Sequence, residues 1–347
     1  MTNHDSIDES NAIRAALDDL VERSLQTASH VSSCSWGPID LELMAEDRST
    51  GDDIVRALAP GRGLWRNQRV VTVSSATIPI DMFPEELRPV GTTSAILRDT
   101  DLVALASGHE HCVWILRSDI DLALRWVTND NDVPLWEQLS PLRAAARWVA
   151  AHHGGATVHC GAVGNHNGAV LLVGDSGAGK STTTMACLGT ELEVLGDDFC
   201  FIDASGPTPI VDAMYRLAKL DDRSLELLPA LRERVVGRGL RGKSLIELDD
   251  LTVTHRPIVA VCHVVRDHSR PTGVEPLHRM AALRAAAPST LFQVRLAEQE
   301  TWDALAATVR HAQTWTLHVD DVTDAPHAIT ELLESIGPAG SSNQTRQ

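Results

Sequence analysis

No stretch of this sequence approaches the roughly 20 consecutive apolar residues of a membrane-spanning helix, which argues against an α-helical membrane protein. Positive charge is also scarce. Thirty Lys and Arg stand against 47 Asp and Glu, a formal net charge of −17, so the phosphates of DNA or RNA would be repelled. The six cysteines, Cys34, Cys112, Cys160, Cys187, Cys200 and Cys262, contain no CxxC pair, which argues against both a disulfide framework and a structural zinc site. They read as small buried hydrophobes. The opening MTNHDSIDESNAIRAALDDL is acidic where a secretory signal is basic and then apolar, so the expectation is a cytoplasmic protein with reduced thiols.

What is present is ordinary globular material, 43% hydrophobic and 22% charged, over 347 residues that suit two domains. Residues 1–33 are polar, acidic and Ser-rich with one weak helical stretch, Ala12–Leu25, and are expected to be mobile. Residues 34–150 carry short β-like runs (Val70–Val73, Leu102–Ala106, Val113–Leu116) and turn residues, the pattern of a mixed α/β domain. Its six tryptophans, Trp36, Trp65, Trp114, Trp126, Trp136 and Trp148, are scattered and read as core. A helix at Pro141–His152 closes this part, and residues 151–335 then alternate strand and helix signals, the pattern of an α/β domain. Within it Ala169–Val173, Ser181–Leu188 and Glu193–Leu195 make a βαβ-like unit, followed by a strand at Phe199–Ile202. Strands at Ile258–Val265 and Thr316–Val319 and helices at Glu298–Arg310 and Ala325–Leu333 complete it, the last with Asp324 as N-cap. Residues 336–347 have almost nothing to bury and are expected to be disordered.

Gly174-Asp175-Ser176-Gly177-Ala178-Gly179-Lys180-Ser181 satisfies GxxxxGKS/T in full, after an apolar strand and before a helix. The glycines let backbone N–H groups turn inward around phosphates, Lys180 reaches the β and γ phosphates, and the Ser181 hydroxyl can ligate Mg²⁺. Asp197-Asp198 follows the next strand, where one acid can hold Mg²⁺ and the other take a proton from an attacking hydroxyl. Spacing leaves the order of these two roles open; by analogy with other P-loop enzymes, Asp197 is the metal ligand and Asp198 the base. Asp221-Asp222, Asp249-Asp250 and Asp320-Asp321 read as caps, turns and solvated acids. His152, His153 and His166 lack metal-ligand spacing, and His109-Glu110-His111, without a third ligand, reads as a solvated turn.

From Val158 on, a strand with His159, the GDSGAGKST loop through Thr182, a helix, a strand and Gly196-Asp197-Asp198-Phe199 together resemble the HPr kinase/phosphorylase group. That group includes phosphoenolpyruvate-carboxykinase-like relatives and the lasso-peptide serine kinases. The likeness covers about residues 150–335. It implies an HPr-kinase-like P-loop domain, ATP and Mg²⁺ as cofactors, His159 in the active site, and a basic residue near the transferring phosphate, matched by Lys243 in Gly242-Lys243-Ser244-Leu245, with Arg238 and Arg241 as rivals. It also implies a tendency to form homo-oligomers. Thr182 departs from the acid these enzymes commonly carry there, and no phosphorolysis signature is present. The expected activity is phosphoryl transfer from ATP to a hydroxyl of a peptide, a protein or a small molecule. The alternatives are a nucleotide-gated regulatory protein without an acceptor, a bifunctional HPr kinase/phosphorylase, and a carboxykinase. A GTPase is disfavoured by the lack of NKxD, and the carboxykinase by chain length and by the lack of assignable substrate-binding arginines.

Overall fold

The computed structural model describes residues 3–88, 94–107, 111–128, 135–239, 242–248, 255–294 and 296–338. His109, Glu110, Arg241, Asp249, Asp250, the Trp136 side chain and most of the expected tail at 336–347 lie outside the described residues. The chain is mixed α/β, and no described helix is long and apolar enough to cross a membrane.

The first unit comprises Met1–Ser35, Ile39–Ala57 and Gly63–Ala145. Its elements are α1 (Asn3–Thr27), β1 (His30–Trp36), β2 (Ile39–Ala45), α2 (Arg48–Ala57), β3 (Trp65–Ser74), β4 (Ser94–Arg98), β5 (Leu102–Ser107), β6 (Cys112–Arg117), β7 (Leu122–Val127) and α3 (Leu135–Leu139). A seven-stranded mixed sheet runs β1-β2-β3-β7-β6-β5-β4. The amino-terminal segment departs from the expected mobility. α1 is a helix of 25 residues whose Leu17, Leu20 and Val21 are buried in the same cluster as Val71, Ile115, Leu124 and Trp126. Three apolar residues at helical spacing are enough to dock an otherwise polar helix.

The second unit comprises Trp36–Pro38, Leu58–Arg62 and Ala146–Gln347, so the boundary falls five residues before the expected one and two short upstream segments belong to it. Contacts distant in sequence explain this. Trp36 Nε1 donates to the Met214 carbonyl at 2.7 Å, its ring meets Phe201 edge-on, and Arg62 Nε donates to the buried Asp212 at 2.8 Å. Trp36, Trp65, Trp114, Trp126 and Trp148 are all buried, as expected of core residues.

Following α4 (Arg143–His152), the second unit continues with β8 (Gly155–Val158), β9 (Gly161–Asn165), β10 (Gly168–Val173), α5 (Lys180–Ala186), β11 (Glu193–Gly196), β12 (Cys200–Asp203), β13 (Ile210–Ala213), β14 (Leu217–Leu220) and α6 (Asp222–Leu227). Then come β15 (Val235–Arg238), β16 (Ser244–Glu247), β17 (His255–Arg266), β18 (Gly273–Pro276), α7 (Arg279–Leu291), α8 (Glu298–His311), β19 (Gln313–Val319) and α9 (Ala325–Ile336). The main sheet runs β11-β9-β10-β17-β13-β12-β8, with β19 on β17 and β18 on β19, and a small sheet runs β14-β16-β15.

Strand β10 is buried throughout, and its alternating side chains divide between two cores. Val170 and Leu172 share a cluster with Met185 of α5 and Ile329 and Leu333 of α9; Leu171 and Val173 share the other with Ala282 and Ala286 of α7 and Leu305 of α8. Helices therefore cover both faces, and each buried Val or Leu contributes about 1.5–3 kcal/mol.

The expected βαβ-like unit is split. β10 and β11 run in the same direction, but each pairs with β9, antiparallel and lying between them. This pairing brings three chain segments to one edge of the sheet. Gly161 at the start of β9 lies opposite Leu172 near the end of β10, and Ala162 lies opposite Gly196 at the end of β11. The residues before β9, after β10 and after β11 meet there. Gly161 permits the approach of α5, because a Cβ at that position would sit 2.0 Å from Thr184 Oγ1.

Candidate active site

The loop after β10 turns on left-handed glycines, Gly177 at φ +84° and Gly179 at φ +106°, conformations that favour residues without a Cβ. Asp175, Ser176 and Gly177 are exposed at its rim, with Ala178 and Gly179 half-buried behind them. Lys180 is buried, and its ammonium folds back to donate to the carbonyls of Gly174 at 2.9 Å and Asp175 at 3.1 Å. Burial pushes the Lys180 pKa down, against the pull of Asp197, Asp198 and Asp175. Thr182 faces a neighbour, its hydroxyl sharing a 2.8 Å hydrogen bond with Ser224.

The acid pair leaves the end of β11 in a tight turn, with Phe199 N–H donating to the Asp197 carbonyl at 2.8 Å and Asp198 at φ +66°. A left-handed aspartate costs about 1–3 kcal/mol and persists where its surroundings hold it. Here two basic side chains do so in part: Lys219 Nζ lies 2.8 Å from Asp198 Oδ2, and His159 Nε2 lies 3.4 Å from Oδ1. Burial opposes the Asp198 charge, yet Lys219 and His159 outweigh it and hold the carboxyl well below the usual carboxylate range.

Asp197 is the opposite case. It is 1% exposed, and neither carboxylate oxygen has a hydrogen-bond partner. Burial and then the Asp198 charge push it up to about 6, with Ser181, the Asp198 backbone N–H and His159 drawing it part of the way back. Ser181 is near enough to act on that carboxyl without closing a hydrogen bond in this geometry. A buried acceptor pair left without donors beside a serine hydroxyl fits a small oxygen-seeking cation. Among the described residues no group of three His, Cys, Asp or Glu side chains is placed to hold a metal ion.

His159 was expected within a strand and instead stands between β8 and β9, where the chain passes from one part of the sheet to another. Its backbone N–H donates to Thr290 Oγ1 at 3.3 Å, its Nδ1 meets Gln293 Nε2 at 3.1 Å, and its ring lies 5.2 Å from that of Phe199. Lys243 does not join the acids. It is exposed, its carbonyl accepts from Gly239, and its charge acts on Asp221. Arg238 is held by Asp222 and the Gly242 carbonyl. The cation beside Asp198 is Lys219 of β14, which sequence reasoning missed; its trace in the sequence is a lone lysine in the apolar run Leu217-Ala218-Lys219-Leu220.

The remaining readings fall on structural roles. Asp221 and Asp321 cap helical turns by accepting from Ser224 and Thr323, and His111 is exposed in a turn. His152 bonds the Trp148 carbonyl, and His166 is exposed. Asp324 stands at the start of α9, but its side chain closes no capping hydrogen bond. Cys112, Cys160, Cys187, Cys200 and Cys262 are buried, Cys34 is half-buried, and all six are free thiols. No protein-family model and no curated protein matches the chain.

Proposed function

We propose that the second unit is an ATP-dependent, Mg²⁺-requiring kinase that transfers the γ-phosphoryl group to a hydroxyl, within an HPr-kinase-like P-loop architecture. The observation that carries this reading is the unequal acid pair next to the phosphate loop. Asp197 is buried with neither oxygen closing a hydrogen bond, which suits a metal ligand; Asp198 is held ionised by Lys219 and His159, which suits a group that receives a hydroxyl hydrogen bond. This asymmetry supports Asp197 on the metal and Asp198 on the acceptor, the order that spacing leaves open.

In the reaction, Lys180 exchanges the carbonyls of Gly174 and Asp175 for phosphate oxygens, keeping its charge compensated. Asp198 Oδ1 or Oδ2 accepts the hydrogen bond of the acceptor hydroxyl and aligns its oxygen. Its depressed pKa makes it a weak proton acceptor early on, which agrees with a loose transition state in which the hydroxyl proton moves late. His159 and Lys219 keep the carboxylate fixed, and charged until it takes that proton as the new P–O bond completes and ADP leaves. Mg²⁺ bound by Ser181 and Asp197 would supply charge neutralisation on the phosphates.

The test is transfer of label from γ-labelled ATP, with Mg²⁺, to pooled serine-bearing peptides, hydroxylated metabolites and HPr. Label on one pool, lost with Asp198→Asn, is the expected result. ATP binding with no labelled product in any pool would overturn the reading in favour of a nucleotide-gated protein.

A further inference from the structure

Arg147 of α4 is fully buried, and its guanidinium ties the strand that leads to His159 to the end of α7. It donates to Thr157 Oγ1 of β8 at 3.0 Å and to the Thr157 carbonyl at 3.1 Å. It also donates to the carbonyls of Thr290 at 2.8 Å and Val294 at 3.3 Å, one on each side of Phe292 and Gln293. Thr290 Oγ1 in turn accepts from the His159 N–H at 3.3 Å. The backbones on both sides of the imidazole are therefore fixed, and the side chain that the α7 turn delivers to the ring is Gln293, whose Nε2 lies 3.1 Å from His159 Nδ1. We infer that Gln293 is a positioning residue: it holds His159 in the tautomer whose only ring hydrogen is on Nε2, and so as a hydrogen-bond donor to Asp198.

The donor inventory leaves one arrangement. A carboxamide nitrogen carries two hydrogens and accepts none, so the His159 Nδ1 that faces it must be the acceptor. An imidazole that accepts at Nδ1 carries its hydrogen at Nε2, the nitrogen that stands 3.4 Å from Asp198 Oδ1. The other tautomer would set one N–H against another at Gln293 and turn a bare lone pair towards a carboxylate, which is repulsive at both ends. A ring with hydrogens on both nitrogens would still oppose the amide. The consequence reaches the acid pair. Lys219 supplies the positive charge beside Asp198, while His159 supplies a directed N–H that orients Oδ1 and leaves its second lone pair for the acceptor hydroxyl. At 3.4 Å that contact is long, and hydrogen bonds of this kind tighten when substrate completes a site. The catalytic consequence rests on the phosphoryl-transfer reading, whereas the tautomer itself does not.

Nitrogen NMR of the intact chain with isotope-labelled histidine rings reads the tautomer, the His159 signals being those lost in His159→Gln. At neutral pH a hydrogen-bearing Nε2 and a bare Nδ1 are expected. Gln293→Leu removes the donor and is expected to leave both tautomers populated; Gln293→Glu replaces it with an acceptor and is expected to place a hydrogen on Nδ1. Gln293 is exposed, so both variants are expected to keep the melting temperature of the unmutated protein. Gln293→Glu is also expected to lower kcat for transfer about tenfold with KM for ATP unchanged. A hydrogen on Nδ1 in the unmutated protein, or the same His159 spectrum in all three proteins, overturns the assignment. A shifted tautomer with unchanged kcat overturns the positioning role. Absence of transfer even from the unmutated protein overturns the phosphoryl-transfer reading, while the spectra still decide the tautomer.

Discussion

Lys219 Nζ sits 2.8 Å from Asp198 Oδ2, joining a strand of the small sheet to the turn that follows β11. Both side chains are mostly buried, at 17% and 24% exposed, so the pair is screened less than a surface contact. Lys219→Met keeps the stem and removes the charge. The Asp198 carboxyl then loses the main group that holds its pKa low, and the acid limb of the kcat profile should move to higher pH. A fall in kcat at neutral pH of about tenfold or more is expected, with Lys219→Arg recovering part of it. An unchanged acid limb in Lys219→Met would show that the pair is only structural.

Asp198→Asn is a clean test of the acceptor-binding role because Asn shares with Asp a tolerance of left-handed backbone. At φ +66° the substitution should leave folding and ATP affinity nearly intact while lowering transfer by about 100-fold or more. Asp198→Val should behave differently, since a β-branched residue is strained in that region, and a loss of thermal stability is expected. Comparing melting temperatures with single-turnover rates separates the two. Full transfer activity in Asp198→Asn would remove Asp198 from the chemistry.

Lys180→Ala strips a buried ammonium from the loop and leaves the carbonyls of Gly174 and Asp175 without that donor. ATP affinity should fall about tenfold or more, since a charge-assisted contact is lost. Lys180→Arg should not restore it, because a planar fork does not fit a site made for a compact ammonium that is 7% exposed. Fluorescent-nucleotide titration measures both, and equal affinity for ATP in all three proteins would sink the phosphate reading.

The parts of the site that local sequence encodes were legible, and those assembled by distant pairing were not. Eight consecutive residues fix the loop's own geometry, and Asp197-Asp198 stand after a strand as their place in the sequence implies. Lys219 reaches Asp198 only because β14 belongs to a separate sheet, a pairing that no periodicity announces. The antiparallel intrusion of β9 between β10 and β11 is likewise non-local, and it is what brings His159 to the acids. Lys243, expected near the transferring phosphate, lies exposed with its charge acting on Asp221, because motif likeness gives its neighbours in sequence and not its direction in space. α1 was misjudged from composition, since three buried side chains outweighed a polar majority.

Asp197 gives a prediction that runs against ordinary intuition about removing a functional acid. Burial and the Asp198 charge raise its pKa to about 6, which corresponds to a cost of about 3 kcal/mol for the ionised form without a cation. The folded chain binds this proton more tightly than the unfolded chain. The group's stabilising contribution is therefore fully present below the ordinary carboxylate range and is lost as pH rises to about 6. At pH 7 without Mg²⁺, Asp197→Asn should melt at a higher temperature than the unmutated protein, while showing no transfer activity. Adding Mg²⁺ with nucleotide should raise the melting temperature of the unmutated protein by mass action and raise that of the variant much less. Equal Mg²⁺-dependent shifts in the two proteins would move the metal away from Asp197, and a lower melting temperature for the variant would mean that the carboxylate is satisfied by donors even without metal.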